Sequence, residues 1–366
     1  MTTRRNILIG LGLAAGGGAI YAGSTRGRSR YEASAAALRV PLDLSATEAD
    51  ARNRELVRFA TLAPNSHNTQ PWRFDAVGDR IVIRPDLGRR CPVVDPDDHH
   101  LWVSIGCAVE TLAIAASAYG FAADTAFLDG PDPGIEVMLG AGTVSVPDPL
   151  LAAIPRRQST RSAFEGPALS HAEGRTLLAA AEGPGVSFRI IEGRPKDALR
   201  DLVMTANGTQ MSDPAFLAEL ETWIRFSQAQ ALETGDGLFA RSSGNPAVPA
   251  WIGRIAFPHI LDPESESRRY GAHIDSSAAL GLFVSAADRP AGWVETGRAF
   301  QRLALTATGL GLAHAHVNQA VEVPEVRQEI ATLFGIGTGR PSLLIRIGRA
   351  ADMPFSLRRP VASAMA

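Results

Sequence analysis

Apolar residues recur at helical spacing most clearly between Asp98 and Tyr119. There Leu101, Ile105, Val109, Leu112 and Ile114 leave little polar face. The pattern predicts a long central helix, buried on most sides and closed by Gly120. Upstream, Ser45-Ala46-Thr47-Glu48 has capping-box spacing and predicts a helix to about Leu62, ended by Ala63-Pro64-Asn65-Ser66. The segments 72–77 and 80–84 then read as strands joined by a Gly78-Asp79 hairpin turn, with further strands near 123–128 and 135–140.

A loop rich in Pro, Val and Asp near 144–149 separates this unit from a second one. The second opens with a short helix, an arginine-rich turn at 156–161 and a capping box at Ser170-His171-Ala172-Glu173. A strand at 186–191 and helices near 195–206 and 214–232 follow. The stretch 235–270 reads as irregular, with Trp251, Ile252, Phe257 and Ile260 set among Gly, Ser, Pro, Asn and Arg. Its length predicts a lid, with Arg241, Ser242, Ser243, Asn245 and Trp251 near a ligand. Strand 279–286, helix 293–309, strand 311–317, helix 324–334 and strand 341–347 complete the chain. Each half patterns as helix, hairpin, central helix and strand, which predicts an α+β fold of two diverged units. The expected divisions are a signal at 1–30, units at 31–148 and 149–352, and a tail at 353–366.

The 366 residues are 45% hydrophobic and 20% charged, which excludes a disordered or collagen-like chain. A net charge of −2 offers no global basic field for nucleic acid or anionic lipid. Two cysteines, Cys91 and Cys107, exclude a disulfide scaffold and a thiolate metal cage. Lys196 is the only lysine among 36 basic residues, so an anion site here is built from arginine. Arg4-Arg5 precedes a nearly uncharged run from Ile7 to Gly23, the pattern of a twin-arginine export signal. The expected location is the periplasm or cell envelope, with membrane anchoring through an uncleaved signal as the alternative. Gly10, Gly12 and Gly16 imitate a dinucleotide-binding loop, but arginines precede them and basic residues follow, so that reading fails.

Two clusters carry candidate chemistry. In Arg156-Arg157-Gln158-Ser159-Thr160-Arg161, an extended backbone projects Arg157, Ser159 and Arg161 to one side. Two forked donors and a hydroxyl then suit a phosphate monoester, although a solvated basic turn has the same composition. The run Ala63-Pro64-Asn65-Ser66-His67-Asn68-Thr69-Gln70-Pro71-Trp72 is a polar loop suited to a heterocycle with alternating donors and acceptors, or to a plain cap and turn.

Together these clusters resemble the flavin-dependent nitroreductase family, with its R-x-S-x-R phosphate motif and A-P-S-x-x-N-x-Q-P-W loop. Members are homodimers with FMN at the interface. Here the loop precedes the phosphate motif, and each half has only one of the two. The chain thus resembles the fused, exported branch of the family, including mycobacterial dormancy-associated proteins, over roughly 45–350. The resemblance implies an intramolecular pseudo-dimer, active as a monomer, with one FMN. It implies cofactor contacts from Arg157, Gln158, Ser159 and Arg161, and from Pro64, Asn65, Ser66, Asn68 and Gln70. By the C-terminal glycine-rich turn, strand and Gly-Arg pattern it adds Arg349, and by the strand approaching the flavin it adds His316 and Asn318. The implied function is two-electron transfer from a reduced nicotinamide to a quinone or nitroaromatic-like acceptor, with no strictly catalytic side chain. The alternatives are a flavin-holding protein with a closed lid and an exported interaction protein with a vestigial site.

His67, His99, His100, His314 and His316, with Asp95, Asp97 and Asp98 nearby, lack metal-helix or knuckle spacing, so no metal is assigned. No G-x-S-x-G elbow points to serine catalysis.

Overall fold

The computed structural model describes residues 28–140, 142, 146–260 and 262–366; the expected export segment at 4–23 lies outside them. In chain order the first unit contains α1 (Arg28–Ala37), α2 (Ala49–Ala60), β1 (Trp72–Val77), β2 (Arg80–Pro85), α3 (His99–Ser117), β3 (Ala122–Leu128) and β4 (Gly134–Gly140). The second continues with α4 (His171–Ala180), β5 (Val186–Ile191), α5 (Arg194–Met211), α6 (Pro214–Trp223), β6 (Ile224–Arg225), α7 (Gln228–Thr234) and β7 (Leu238–Phe239). It ends with α8 (Ala250–Ile260), α9 (Pro263–Asp275), β8 (Ala279–Ser285), α10 (Pro290–Gly309), β9 (Ala313–His316), α11 (Gln319–Glu322), α12 (Pro324–Leu333) and β10 (Arg340–Gly348).

Eight of the ten strands form two four-stranded antiparallel sheets, ordered β1-β2-β4-β3 and β5-β8-β10-β9. One sheet per unit, each with a central helix, is the two-unit α+β architecture expected from the pattern. The helix α3 is long and apolar enough to cross a bilayer, yet its residues are buried against the rest of the fold. It packs on α10 at a glycine crossing. A Cβ on Gly106 would stand 2.1 Å from the Val294 carbonyl oxygen, and one on Gly297 would stand 2.0 Å from that of Val103. Beside this contact Glu110 accepts from Arg298 and Arg302, and Gln301 donates to Thr111. The two units therefore share one core, in which Leu112, Phe74, Phe300 and Ile345 belong to a single cluster.

The C-terminal tail recrosses from the second unit to the first. Phe74 donates to the Ala364 carbonyl, and the Ala366 N–H donates back to Phe74, so Met365 pairs with the β1 edge. An edge strand is thereby covered by the chain's own end.

Three local expectations are corrected. The Ser45–Glu48 capping box does not form, because Ser45 bonds to Asp43 and α2 begins after Glu48. The one at Ser170 and Glu173 does form. The predicted helix over 214–232 breaks at Ile224, where the chain extends to pair β6 with β7 before Ser227 caps α7. The predicted irregular stretch 235–270 contains two helices. Asp262 caps α9 by accepting from Ser265, with Pro263 in its first turn.

Candidate functional site

The phosphate-like run is held extended by its neighbours. Ser159 pairs with His314 in a parallel bridge, and the Thr160 N–H donates to the His314 carbonyl. The buried Arg346 guanidinium ties down the carbonyls of Thr160 and Ser162 and stacks 3.9 Å over Phe164. Thr160 is thereby turned inward, leaving Arg157, Gln158, Ser159 and Arg161 on the wall of one cleft. Gln158 is fixed there by Asp352 and by the N–H of Met353.

The opposite wall comes from the first polar loop. His67, Asn68 and Gln70 all have positive φ, an uncommon backbone for side-chain-bearing residues. The Asn65 carboxamide oxygen accepts from the Gln70 N–H and closes the turn. Pro64, Asn65 and Asn68 face the cleft. Two sequence-distant loops thus meet across one cavity, whose lining also includes Arg39, Leu238, Ser242, Phe355 and Arg358.

The cleft is electropositive. Arg157 is 3% exposed; one guanidinium nitrogen donates to the Leu62 carbonyl, while the buried Nη1 has no hydrogen-bond partner among the described residues. Burial and the neighbouring Arg161 charge push Arg157 down to about 10. Burial, then Arg157, pushes Arg39 down to about 9. Burial, then Arg39 and Arg157, holds Arg358 well below the ordinary arginine range. Such mutual repulsion is relieved by an anion.

Several expected contacts lie elsewhere. Arg349 bonds to Glu173 and the Pro167 carbonyl and does not line the cleft, so its cofactor assignment is corrected. The Asn318 side chain accepts from the Leu344 N–H and braces β9 against β10 instead of lining the cleft. His316 sits behind the wall against Phe300, with burial and then Arg161 depressing its pKa to about 3. Ser66 lines a small neighbouring recess with Thr69, Cys91 and Asp95. Gln70 is 1% exposed; its amide donates to the Gly235 carbonyl and its oxygen accepts from the Arg359 N–H. Of the expected lid contacts Ser242 lines the cleft, whereas Trp251 is 67% exposed and Asn245 accepts from Arg269.

Sequence reasoning missed Arg39 and Arg358 because neither belongs to a local motif. Asp95, His99 and His100, set aside in the sequence for lack of metal-helix spacing, have their ligand atoms within 4.8 Å of one another. The Asp95 carboxylate there accepts the N–H groups of His100 and Leu101, which is a helix cap's work.

No family model matches the chain. It is 30% identical over 308 residues to the "Putative NAD(P)H nitroreductase Rv3131" of Mycobacterium tuberculosis, covering 81% of this chain and 85% of that one. The chain belongs to the NAD(P)H nitroreductase family. A second family relative, "Putative NAD(P)H nitroreductase acg" of the same species, is 26% identical over 322 residues, covering 84% of this chain and 93% of its own. The FMN-dependent nitroreductase NfnB of Mycobacterium smegmatis, solved with NADPH, covers 58% of this chain and 94% of its own at 14% identity and a TM-score of 0.38. A likeness that slight adds nothing to what the sequence relatives establish.

The residues present fit the phosphate end of FMN, the cofactor such families imply. The observation is the orphaned Arg157 Nη1, beside Ser159 and Arg161 in a cleft lined by arginine.

Proposed function

We propose that this nitroreductase-family oxidoreductase binds one FMN between its two units, as an intramolecular pseudo-dimer. One observation carries the reading: the phosphate-like run and the polar loop face the same cleft, where a buried guanidinium nitrogen lacks a partner among the described residues. Arg157, Ser159 and Arg161 would grip the phosphate, with Gln158 steadying the wall. Pro64, Asn65 and Asn68 would border the remainder. FMN, when bound, supplies two-electron ping-pong hydride chemistry between a reduced nicotinamide and a quinone or nitroaromatic-like acceptor. The protein's part is to hold, orient and shield, and no side chain is assigned as general acid or base. Export by a twin-arginine route belongs to the same proposal and rests on Arg4-Arg5 and the apolar run after them.

A second reading, a flavin holder with little turnover, has its own support. The Gly235-Asp236-Gly237 turn is clamped on both sides. Asn68 and Gln70 donate to the glycine carbonyls, and Arg225 and Arg89 grip Asp236. Such a latch keeps β7 and Ser242 over the cleft.

The test is the visible spectrum of protein purified without added cofactor, followed by reduction with NADH or NADPH and reoxidation by a quinone. Yellow protein that bleaches and recovers supports the reductase; yellow protein that does not bleach supports the holder. Colourless protein that takes up no FMN refutes both. Replacing Arg157 and Ser159 by Ala should weaken FMN binding at least about a hundredfold, from about 1.5–3 kcal/mol per charge-assisted bond.

A further inference from the structure

The strand β9 gives the phosphate-like run more than a backbone to pair with. Ser159 and His314 are bridge partners, and Ile347 of β10 stands opposite His314 on the other side. Partners across a ladder project to one face, so Ile347, His314 and Ser159 form a row from the apolar core to the cleft. Thr160 and Arg346, one residue along in their own segments, take the opposite face. His314 is thus the polar group between core and site. It is 1% exposed and lies 5.6 Å from the Phe300 ring of α10. Both of its ring nitrogens lack a hydrogen-bond partner among the described residues. An imidazole so placed leaves a donor and an acceptor desolvated, which is costly.

Arg157 is under-anchored in the same place. Among the described residues its side chain makes one hydrogen bond, 3.2 Å to the Leu62 carbonyl, and Arg358 donates to that oxygen as well at 3.3 Å. Its Nη1 is buried and has no partner among them. A guanidinium only donates, whereas a neutral imidazole has one nitrogen that accepts. The two orphaned groups are therefore complementary. They are also neighbours: Arg157 lies two residues before the bridge partner of His314, and its charge is the next cause after burial of the lowered His314 pKa. Near neutral pH the ring is uncharged and its acceptor free.

We infer that His314 is a positioning residue for the phosphate grip. Its accepting nitrogen holds the Arg157 Nη1–H through one bridging water, since no hydrogen-bond distance joins the two groups directly. This brace aims the Arg157 fork at a phosphate beside Ser159 and Arg161. His314 touches neither phosphate nor ring and acts only through Arg157. The inference rests on the phosphate reading above and deepens it by naming the group that orients its central cation.

The experiment titrates flavin-free, full-length protein with FMN and with riboflavin, which lacks only the phosphate, and follows flavin fluorescence. The wild type should prefer FMN. His314→Phe, close in shape but without an acceptor, should narrow that preference by about tenfold, as one lost buried hydrogen bond requires, while riboflavin affinity holds. His314→Gln, which keeps an acceptor, should leave the preference within about threefold of wild type. Circular dichroism melts establish that each variant is folded. A preference untouched by His314→Phe overturns the inference. So does an equal fall for both flavins, which marks a merely structural histidine, or a His314→Gln loss as large as that of His314→Phe. Should His314→Phe not fold, nitrogen NMR of the histidine rings reads the wild type instead. The His314 signal, assigned by its absence in His314→Gln, should move with FMN and stay with riboflavin; equal movement overturns the inference. Failure of the phosphate reading is seen before any variant is made, as a wild type that binds both flavins equally or neither, and it takes this inference with it.

Discussion

Asn68 carries structural work that its place in a polar loop conceals. Its amide donates to the carbonyls of Gly237 at 3.0 Å and Leu357 at 3.1 Å, and its oxygen accepts from Arg358 at 2.7 Å. With φ of 55° it also occupies a backbone region that Asn tolerates better than Ala. Asn68→Ala should therefore destabilise the fold by about 2–4 kcal/mol, since two carbonyls and a guanidinium lose a buried partner. A urea melt measures the loss, and limited proteolysis should show faster cleavage at 235–237 than within α4. Unchanged melting and cleavage would remove the latch role. Residues in contiguous motifs were legible: Arg157, Ser159 and Arg161 alternate along an extended run, and Pro64 and Asn65 sit with Asn68 in one loop. Arg39 and Arg358 were not, because 318 positions separate them and no periodicity marks either. Arg349 was misread for the opposite reason. Its Gly-Arg context matched, but Glu173, itself set by the α4 capping box, draws its guanidinium away from the cleft.

Among the elements, α3 was readable because its apolar residues recur on nearly every face, and only a central position satisfies that pattern. The helices α8 and α9 were hidden by composition. Gly253 and Pro258 argue against a helix by propensity, yet Gly253 is required where it stands: a Cβ there would lie 2.3 Å from the Phe226 ring. The α3–α10 crossing uses the same device on both helices, and its glycines meet backbone, which cannot rotate away as a side chain can. Gly297→Ala should accordingly cost on the order of 3 kcal/mol or more, because the helices must separate along a shared core. Gly309→Ala, at the end of the same helix and with nothing within 4 Å of the added carbon, is the matched control. Thermal melts of the two variants side by side decide it; equal midpoints would mean that the crossing relaxes without cost.

On the scale of the whole molecule, imidazoles join the two units. His99 on α3 bonds to Ser342 on β10 at 2.7 Å, and His100 faces Glu322 of α11 at 3.4 Å. His314 lies edge-on to Phe300 with both ring nitrogens lacking partners among the described residues. Burial holds His99 and His314 well below their ordinary pKa, and pushes His67 down to about 4 and His316 to about 3. A histidine lowered from 6.5 in the folded state binds fewer protons than its unfolded counterpart below that pH. Its contribution is therefore complete above about 6.5 and lost as pH falls toward about 4. Asp95, pushed up to about 7 by burial, and Glu322, raised by the same cause, work in the opposite sense, favouring the fold as they gain protons. The depressed imidazoles outnumber these two carboxyls, so net proton uptake on unfolding is expected between pH 6.5 and about 4, with midpoints falling throughout. The cleft draws one wall from each unit, so acid separation of the units destroys it at the same step. Titrated from pH 7.5 to 4.5, the loss of anion binding and the loss of tertiary circular dichroism should share one midpoint. A cleft that empties well before the fold melts would place the acid-sensitive groups at the site itself and not in the contact between the units.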